Sequence, residues 1–473
     1  MADPLWTLRE IVAATGGTSE ALPATEITGL SIDSRSLAPG EAFVAIRGPN
    51  RDGHAFVAAA LASGAALAIV DRDFAGAGIE DRLVRVADTL EALNDLGRAA
   101  RARANDAVVI AVTGSAGKTG SKEALRLALA PSGAVHASVK SFNNHWGVPL
   151  SLANMQRATR FGVFEAGMNH PGELDLLTHL IRPHVAIVTT VAPVHLGFFR
   201  SVAEIADAKA EIFHGLEPGG TAILNRDNPY YDRLADHARD RGAKILSFGE
   251  AQEADARLTG VELGSDGSNV TADILGETVR YRLGAPGRHV VQNSLGVLAA
   301  TKIAGADLGR AAEALAGLHA QPGRGARIVV AANGGPMAII DESYNANPAS
   351  MRAALATLGL TPRGEFKRRV AVLGDMLELG REGPKLHAEL AEFIDGAGVD
   401  VVFACGELMG SLFEALPADR RGAYAKSAEE LKPLLTGAVR AGDVIMVKGS
   451  LGSRMAPLVE ALKQRFEAGN VSA

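Results

Sequence analysis

Apolar runs alternate with polar and helix-like segments along most of the chain. Within residues 106–320, strand-like runs such as 108–112 and 160–164 are separated by segments of helical composition, which predicts a mostly parallel, doubly wound sheet. A smaller α/β unit precedes this region over residues 1–105, and a second α/β sheet of ordinary domain size follows over residues 321–473. We therefore predict an α/β protein of three domains.

Shorter patterns predict individual elements on either side of the central sheet. In the first unit we expect helices over 5–14, 56–63 and 90–105, with strands over 27–33, 42–46 and 66–70. In the last unit we expect strands over 337–340, 369–373, 401–405 and 444–447, with a helix over 349–358.

The predicted strand 108–112 runs into the sequence TGSAGKT at 113–119, and a helix-like segment follows. Strand, glycine turn, Lys-Thr and helix together are typical of a phosphate-binding loop, although the spacing is shorter than GxxxxGK[ST]. Glycines let backbone N–H groups close around phosphate oxygens. Lys118 would reach the terminal phosphates, and the Thr119 hydroxyl would hold Mg²⁺. The loop predicts binding of a nucleoside triphosphate through Thr113, Gly114, Ser115, Ala116, Gly117, Lys118 and Thr119.

Other polar residues follow predicted strands or open predicted helices. Glu165 and His195 come at or after strand ends, and ligands collect at the carboxyl edge of such a sheet, so both suit Mg²⁺ coordination. Lys209, on a helix with acidic neighbours, reads as a solvated lysine when taken alone. Asn293, at the start of an alanine-rich helix, could bind the edge of a purine base or cap the helix, and the sequence alone does not distinguish these two roles.

Two further groups of polar residues lie in loops, where ligand contacts tend to gather. In the first unit they follow predicted strands and include Asp33, Ser34, Arg35, Asp52, Gly53 and His54. In the last unit they crowd one turn after the strand 337–340 and comprise Asp341, Tyr344, Asn345 and Asn347. A glycine-rich joint with two arginines, QPGRGAR at 321–327, precedes that strand.

Composition narrows the possible partners and compartments. The net charge of −6 and the aromatic content of 5% argue against a nucleic-acid partner. The single cysteine, Cys405, excludes an intrachain disulfide and fits a small core residue in a reducing compartment. The N-terminus lacks the apolar region of a signal peptide, and the longest apolar stretch, 55–70, is interrupted and too short to span a membrane. We expect a cytoplasmic protein without a membrane partner.

The motifs together resemble the Mur ligases of bacterial cell-wall synthesis over nearly the whole chain. The matching stretches are DSR at 33–35, DGHAF at 52–56, TGSAGKT at 113–119, NNHWGVP at 143–149, EAG at 165–167, HL at 195–196, AKAEIF at 208–213, GRHVVQN at 287–293, DESYNANPASM at 341–351, VLGDMLELG at 372–380 and VKGS at 447–450. Within the family, the DESYNANP block looks most like the members that add D-alanyl-D-alanine to UDP-N-acetylmuramoyl-tripeptide.

The resemblance implies an activity and three domain roles. The first domain would bind the UDP substrate, the central P-loop ATPase-like domain would bind ATP, and the C-terminal Rossmann-like domain would complete the site. ATP would phosphorylate the peptide carboxylate, and the amine of D-alanyl-D-alanine would attack the acyl phosphate. The chain would act as a monomer.

The resemblance also implies roles for single residues. Two Mg²⁺ ions would be held, one by Thr119 and Glu165 and one by His195 and a carbamylated Lys209. With Lys118, these are the expected catalytic residues. The nucleotide would contact the phosphate loop, Asn293, Arg324, Asp341 and Asn345. The substrates would contact Ser34, Arg35, Asp52, Gly53, His54, Asn143, Asn144, Tyr344 and Asn347.

Two alternatives stay open at this point. One is another amide ligase of the same superfamily, such as a folylpolyglutamate synthase or a Mur ligase that adds a single amino acid. The other is a P-loop switch that binds ATP and signals by conformation without ligation. The switch would leave Lys209, the SYNANP turn and the third domain without a role.

Overall fold

A computed structural model of the chain describes residues 4–20, 26–48, 50–139, 141–194, 196–332 and 334–468. His195, expected at the metal site, lies outside these residues. The described strands form three main sheets, built from strands within residues 18–86, 108–283 and 326–448, which confirms the predicted α/β class. No described strand crosses a predicted domain boundary, and the boundaries themselves stay predictions. None of the described helices is long and apolar enough to cross a bilayer.

The first sheet has the strand order β2-β7-β6-β5-β4, and β1 pairs with β3 outside it. The strands are β1 (Trp6–Thr7), β2 (Thr18–Ser19), β3 (Glu26–Ile27), β4 (Leu30–Ser31), β5 (Ala42–Val44), β6 (Leu67–Asp71) and β7 (Leu83–Val86). The helices are α1 (Leu8–Thr15), α2 (Val57–Ala62) and α3 (Thr89–Arg103). The single strand predicted over 27–33 is wrong, because β3 pairs with β1 whereas β4 pairs with β5. The first helix starts at Leu8 and not at residue 5, since Thr7 and Glu10 form a capping box there.

The central sheet has the order β16-β15-β14-β13-β12-β11-β8-β10-β9. Its strands are β8 (Val108–Thr113), β9 (Val135–Ala137), β10 (Phe161–Glu165), β11 (Val185–Val188), β12 (Thr221–Asn225), β13 (Lys244–Gly249), β14 (Ala256–Leu263), β15 (Ser268–Ile274) and β16 (Glu277–Leu283). Its helices are α4 (Lys118–Leu129), α5 (Gly147–Ala153), α6 (Glu173–Ile181), α7 (Val202–Ala210), α8 (Tyr231–Asp240), α9 (Arg288–Ile303) and α10 (Leu308–Ala314). Pairing is parallel from β9 to β14 and antiparallel from β14 to β16.

Strand β8 is buried on both faces, as its continuous apolar run predicts. Ile110 and Val112 pack in one core with residues of α4 and α9. Val109 and Ala111 pack in the opposite core with residues of α6, α7 and α8. Because β8 lies between β10 and β11, the chain leaves the sheet at the point where the strand order reverses, which is where this architecture opens a ligand crevice.

The C-terminal sheet has the order β17-β18-β22-β19-β20-β21, in which β17 alone is antiparallel to its neighbour. The strands are β17 (Ala326–Ala332), β18 (Gly335–Glu342), β19 (Arg368–Gly374), β20 (Val401–Cys405), β21 (Arg421–Ala425) and β22 (Asp443–Lys448). The helices are α11 (Pro348–Gly359), α12 (Gly383–Ala388), α13 (Leu390–Gly396), α14 (Met409–Ala415), α15 (Ala428–Ala438) and α16 (Ala456–Ala468). Cys405 is buried in this core, which confirms the predicted small core residue, and burial raises the pKa of its thiol to about 12.

Helix α5 joins the first domain to the central one. Its end accepts a hydrogen bond from the buried Trp6 indole at the Ala153 carbonyl, 2.8 Å away. Helix α3 packs against α5 so closely that a Cβ at Gly97 would lie 3.2 Å from the Pro149 carbonyl oxygen. The first domain is therefore docked on the helix that follows the NNHWG stretch.

Candidate active site

A cavity of about 530 Å³ opens between the central and C-terminal domains. It is lined by the phosphate loop, the start of α9, the glycine-rich joint and one face of α11. Of the residues expected at the site, those lining it are Ser115, Ala116, Gly117, Lys118, Thr119, Asn143, Asn144, Glu165, Asn293, Arg324, Tyr344, Asn345 and Asn347. The structure thus brings together residues that lie more than 200 positions apart in the sequence.

Glycine is required at two positions of the phosphate loop. Gly114 and Gly117 both have positive φ angles, of 148° and 85°. A Cβ at Gly114 would overlap the Thr189 hydroxyl, and a Cβ at Gly117 would overlap the Asn293 amide. Gly117 caps α4 without any side-chain hydrogen bond, so the first N–H groups of α4 are left for an anion. Thr113, by contrast, is fully buried at the end of β8.

Asn293 lies in the second turn of α9, whose N-cap is Gly287. The capping role considered for Asn293 is therefore wrong. Its amide packs over Gly117 of the phosphate loop instead. This contact places the polar end of α9 directly above the bend of the loop.

Glu165 is the centre of a hydrogen-bonded group at the bottom of the cavity. It is the last residue of β10 and is only 1% exposed. The Thr119 hydroxyl donates to its Oε2 at 2.8 Å, and the Asn143 amide donates to its Oε1 at 2.6 Å. Both carboxylate oxygens are thereby fixed in direction. The register of β10 beside β8 puts Glu165 opposite Val112, which confirms its expected position at the same edge of the sheet as the phosphate loop.

The donor set around Glu165 fits Mg²⁺ better than a metal that needs a complete protein cage. A hydroxyl and a carboxylate oxygen lie side by side next to a loop built for phosphates. Mg²⁺ commonly takes one or two carboxylates and fills its other positions with water and substrate phosphates. In the part of the chain that the structure describes, no cluster of three or more His, Cys, Asp or Glu residues could hold a metal by itself. A metal held by Thr119 and Glu165 would therefore depend on bound nucleotide.

Lys118 folds back over the phosphate loop, and its Nζ donates to the Gly114 carbonyl at 2.7 Å. Burial lowers the pKa of this ammonium, the Arg324 charge lowers it further, and Glu165 acts in the opposite direction. The carboxylate of Glu165 therefore balances the positive charges of Lys118 and Arg324 only in part. Triphosphate oxygens would supply that charge and take over the donors of Lys118.

Lys209 is the penultimate residue of α7 and is only 2% exposed. The interpretation of this residue as a solvated lysine is therefore wrong. Burial lowers its pKa well below the usual range, and the nearby charge of Lys118 adds to the effect. Among the described residues, none of the ion pairs found within 4.0 Å involves Lys209. A lysine in this setting has a strong tendency to be neutral.

The C-terminal domain contributes through the joint and the start of α11. The Arg324 guanidinium donates to the Ser141 hydroxyl at 2.9 Å and stacks over the Tyr344 ring, 4.2 Å from its centroid. Asn347 caps α11 through Ser350, and its amide also donates to the carbonyl of Ser115 in the phosphate loop at 3.3 Å. The turn predicted to be rich in ligand contacts therefore touches the nucleotide loop directly.

Two of the expected nucleotide residues have contacts within the C-terminal domain. Asp341 accepts hydrogen bonds from the Gly323 backbone and from Ser343, so it orders the joint that carries Arg324. The Asn345 carbonyl accepts a hydrogen bond from Lys448 at 3.0 Å. Asp341 is 9% exposed and is not among the residues that line the cavity, and its contact with a nucleotide stays a prediction.

Sequence reasoning missed an ion pair on the cavity wall. Lys448, only 2% exposed, pairs with Glu342 at 3.0 Å, and both residues line the cavity. The sequence feature that could have pointed to Lys448 is the KGSLGSR stretch at 448–454. It has the composition of a phosphate loop but lacks the helix that such a loop requires. The stretch instead places its lysine against the end of β18.

The expected substrate residues of the first domain form a separate polar surface that does not line the cavity. Arg35 is exposed and makes a bidentate pair with Asp33, and Ser34 lies between them. At Gly53 a Cβ would lie 2.7 Å from the backbone nitrogen of Ile46, so only glycine allows the loop to pass so close to the strand end.

His54 has both ring nitrogens engaged inside the first domain. Its Nε2 accepts a hydrogen bond from the Asp71 backbone at 3.0 Å, so Nδ1 carries the proton and donates to Asp52 at 2.6 Å. The Arg47 guanidinium lies within ion-pair distance of two carboxylates, those of Asp52 at 3.4 Å and Asp71 at 3.0 Å. The His54 ring is nearly buried, and it holds Asp52 in place at the surface.

We expect His54→Ala to disturb the position of Asp52 on the polar surface of the first domain and to leave the cavity at the phosphate loop unchanged. The change leaves the Asp71 N–H without its acceptor and should lower the free energy of unfolding by about 1–3 kcal/mol. The KM for the UDP substrate that the sequence resemblance implies should rise by about tenfold, or 1.4 kcal/mol, with the KM for the expected nucleotide, ATP, unchanged. His179→Ala, at an exposed helical site, is the control. Equal changes in both KM values would contradict the separation between the polar surface of the first domain and the nucleotide site.

Family comparisons cover most of the chain. Family models described as "Mur ligase family, catalytic domain", "Mur ligase middle domain" and "Mur ligase, glutamate ligase domain" match residues 26–101, 112–301 and 309–451.

Individual relatives match over nearly their full length. UDP-N-acetylmuramoyl-tripeptide--D-alanyl-D-alanine ligase of Escherichia coli is 35% identical over 93% of this chain and 94% of its own. A crystal structure of MurF from Acinetobacter baumannii is 32% identical, with coverage of 97% and 99% and a TM-score of 0.84. The crystal structure of MurF ligase from Thermotoga maritima in complex with ADP is 25% identical, with coverage of 93% and 98% and a TM-score of 0.76. The chain therefore belongs to the Mur ligase family.

Proposed function

We propose that the chain joins D-alanyl-D-alanine to UDP-N-acetylmuramoyl-tripeptide at the expense of ATP. The observation that carries this proposal is the phosphate loop with Thr119 and Glu165, placed in a cavity that the C-terminal domain completes. Relatives that bear this activity in their names match 96% and 93% of the chain. The alternative of a P-loop switch leaves the contacts between α11 and the phosphate loop without a purpose.

The reaction follows from the weakness of a carboxylate as an electrophile. A carboxylate oxygen of the tripeptide would attack the γ-phosphorus of ATP, and the bond to ADP would break. The amine of D-alanyl-D-alanine would then attack the acyl carbon, form the amide, lose a proton and release phosphate. In phosphoryl transfer the protein mainly positions groups and neutralises charge. Lys118 and the N–H groups at the start of α4 are the described donors that fit this task.

Mg²⁺ would neutralise phosphate charge at the oxygens of Thr119 and Glu165. Asn143 holds the second carboxylate oxygen of Glu165, Oε1, at 2.6 Å, while Oε2 lies beside the Thr119 hydroxyl. Thr119 and Glu165 are therefore proposed as the ligands of the first metal. His195, for the second metal, stays a prediction.

Lys209 is proposed as a carbamylated residue. Its neutral amine would attack CO₂, form an N–C bond and release a proton, which converts the amine into an anionic oxygen ligand. Support comes from its burial beside Lys118, which favours the neutral form. A carbamate would also balance the positive charge of Lys118. The monomeric state stays a prediction.

The acceptor that triggers phosphate release tests the proposed activity. We expect purified protein with ATP, Mg²⁺ and UDP-N-acetylmuramoyl-tripeptide to release phosphate rapidly with D-alanyl-D-alanine and at background rate with D-alanine, L-alanine or glutamate. Release at one rate with and without both substrates would support a switch instead. Preference for a single amino acid would favour another ligase of the superfamily.

A further inference from the structure

The segment between β9 and α5 has little support from regular structure. We call residues 138–139 and 141–146 the bridging segment. These residues form no helix or strand, and much of the segment is exposed, including Val139 at 62% and Phe142 at 37%. Since few apolar contacts hold it, its conformation depends on its polar contacts.

The bridging segment nevertheless touches all three domains. Its Ser141 hydroxyl accepts from Arg324 of the C-terminal joint. The Asn143 amide donates to Glu165, and the Asn143 carbonyl accepts from the Gly167 backbone at 2.8 Å. The Trp146 ring packs against Gly48 of the first domain, where a Cβ would lie 3.0 Å from it.

The segment is anchored at its start by a buried lysine that the proposed mechanism does not use. Lys122, on α4 one turn after Lys118, is completely buried, and its Nζ donates to the Ser138 carbonyl at 2.8 Å. Its Nζ also lies 2.7 Å from Oε1 of Glu123. Burial opposes ionisation of Glu123, but hydrogen bonds from Lys122 and Arg126 outweigh it, and the pKa is lowered. The ammonium is therefore paired as a buried charge must be.

We propose that Lys122 is a positioning residue for Glu165. By holding the Ser138 carbonyl it fixes the start of the bridging segment, and through that segment it keeps Asn143 at the Glu165 carboxylate. Ser138 is also connected to the strand that carries Glu165, because its backbone N–H donates to the Val163 carbonyl of β10, which ends at Glu165. This inference rests on the proposed function only where the Mg²⁺ requirement is measured from the rate of the proposed reaction.

Lys122→Met is the test variant, because methionine keeps the length of the apolar stem and removes the donor. Glu123 then keeps Arg126 as its partner, 2.9 Å away. Arg126→Met is the matched control: it removes the other cation of Glu123, four residues along the same helix, and leaves the Ser138 contact intact. We expect Lys122→Met to raise the Mg²⁺ concentration for half-maximal rate by about tenfold, and Arg126→Met to leave it within about twofold.

Trp146 supplies a readout that does not depend on activity. The chain has two tryptophans, and Trp6 is only 2% exposed, so acrylamide quenching reports mainly on Trp146. We expect the quenching constant to rise about twofold in Lys122→Met, as a loosened segment predicts, and to stay unchanged in Arg126→Met. Equal quenching in wild type and Lys122→Met would overturn the positioning role, whatever reaction the protein catalyses.

Asn143→Ala keeps the inference testable if Lys122→Met does not fold. This variant leaves the Lys122 anchor in place and removes the contact through which it acts. We expect the same rise in Mg²⁺ requirement of about tenfold. An unchanged requirement in Asn143→Ala would overturn the inference. Absence of ligase activity in wild type would defeat the proposed function alone and leave the quenching result standing.

Discussion

Lys118→Met is expected to lower kcat by about 10³-fold, the scale of removing a donor aimed at transferring phosphoryl charge. Lys118 is the lysine of the phosphate loop, and its Nζ lies 2.7 Å from the Gly114 carbonyl that phosphate oxygens would replace. Methionine fills the same space without the charge, so the free energy of unfolding should change little. Phosphate release under saturating substrates and circular dichroism at 25 °C check both expectations.

Lys302→Met is a suitable control for Lys118→Met. Lys302 lies at the far end of α9, where it binds backbone carbonyls and Glu277 at the protein surface. Its replacement should leave kcat unchanged. A Lys118→Met enzyme that keeps kcat within tenfold of wild type would mean that the helix N-terminus and metal suffice, and that the lysine is not part of the catalytic site.

Lys209→Met is expected to lower kcat by about 10³-fold and to abolish carbamate formation, because one proposed metal ligand is lost. The methionine occupies the same buried site beside Lys118 and removes the amine that would carry the carbamate. Incubation with ¹³C-bicarbonate should give wild-type protein a carbamate signal in the ¹³C NMR spectrum, and Lys209→Met should lack it.

Lys244→Met is the control for Lys209→Met, since Lys244 is exposed at the start of β13. It should keep both the signal and the rate. A carbamate signal of equal size in Lys209→Met would place the modification elsewhere. Full turnover by Lys209→Met would remove Lys209 from the metal site.

Local pattern was enough to locate the phosphate loop and Glu165. Both depend on strand ends, and the parallel register of β8 and β10 then fixes their proximity. Strand positions such as Val401–Cys405 also follow from unbroken apolar runs. These features are determined by residues close together in the sequence, so sequence reasoning reaches them.

Long-range packing decided the features that pattern reasoning got wrong or missed. Lys209 has acidic neighbours along its helix, yet α7 turns it into the protein beside Lys118. Asn293 stands where a cap was conceivable, but α9 starts earlier, at Arg288, and directs the amide at Gly117. The contact of Asn347 with Ser115 spans 232 residues, and no local signal distinguishes it from an ordinary helix cap.

The most direct test of the proposed ligation uses tripeptide substrate labelled with ¹⁸O in its terminal carboxylate. The protein is incubated with this substrate, ATP, Mg²⁺ and D-alanyl-D-alanine, and the phosphate and the UDP product are analysed by mass spectrometry. We expect one ¹⁸O atom in each released phosphate and a product heavier by the dipeptide with one carboxylate oxygen lost. Phosphate without ¹⁸O, or a UDP substrate of unchanged mass, would contradict the proposed ligation.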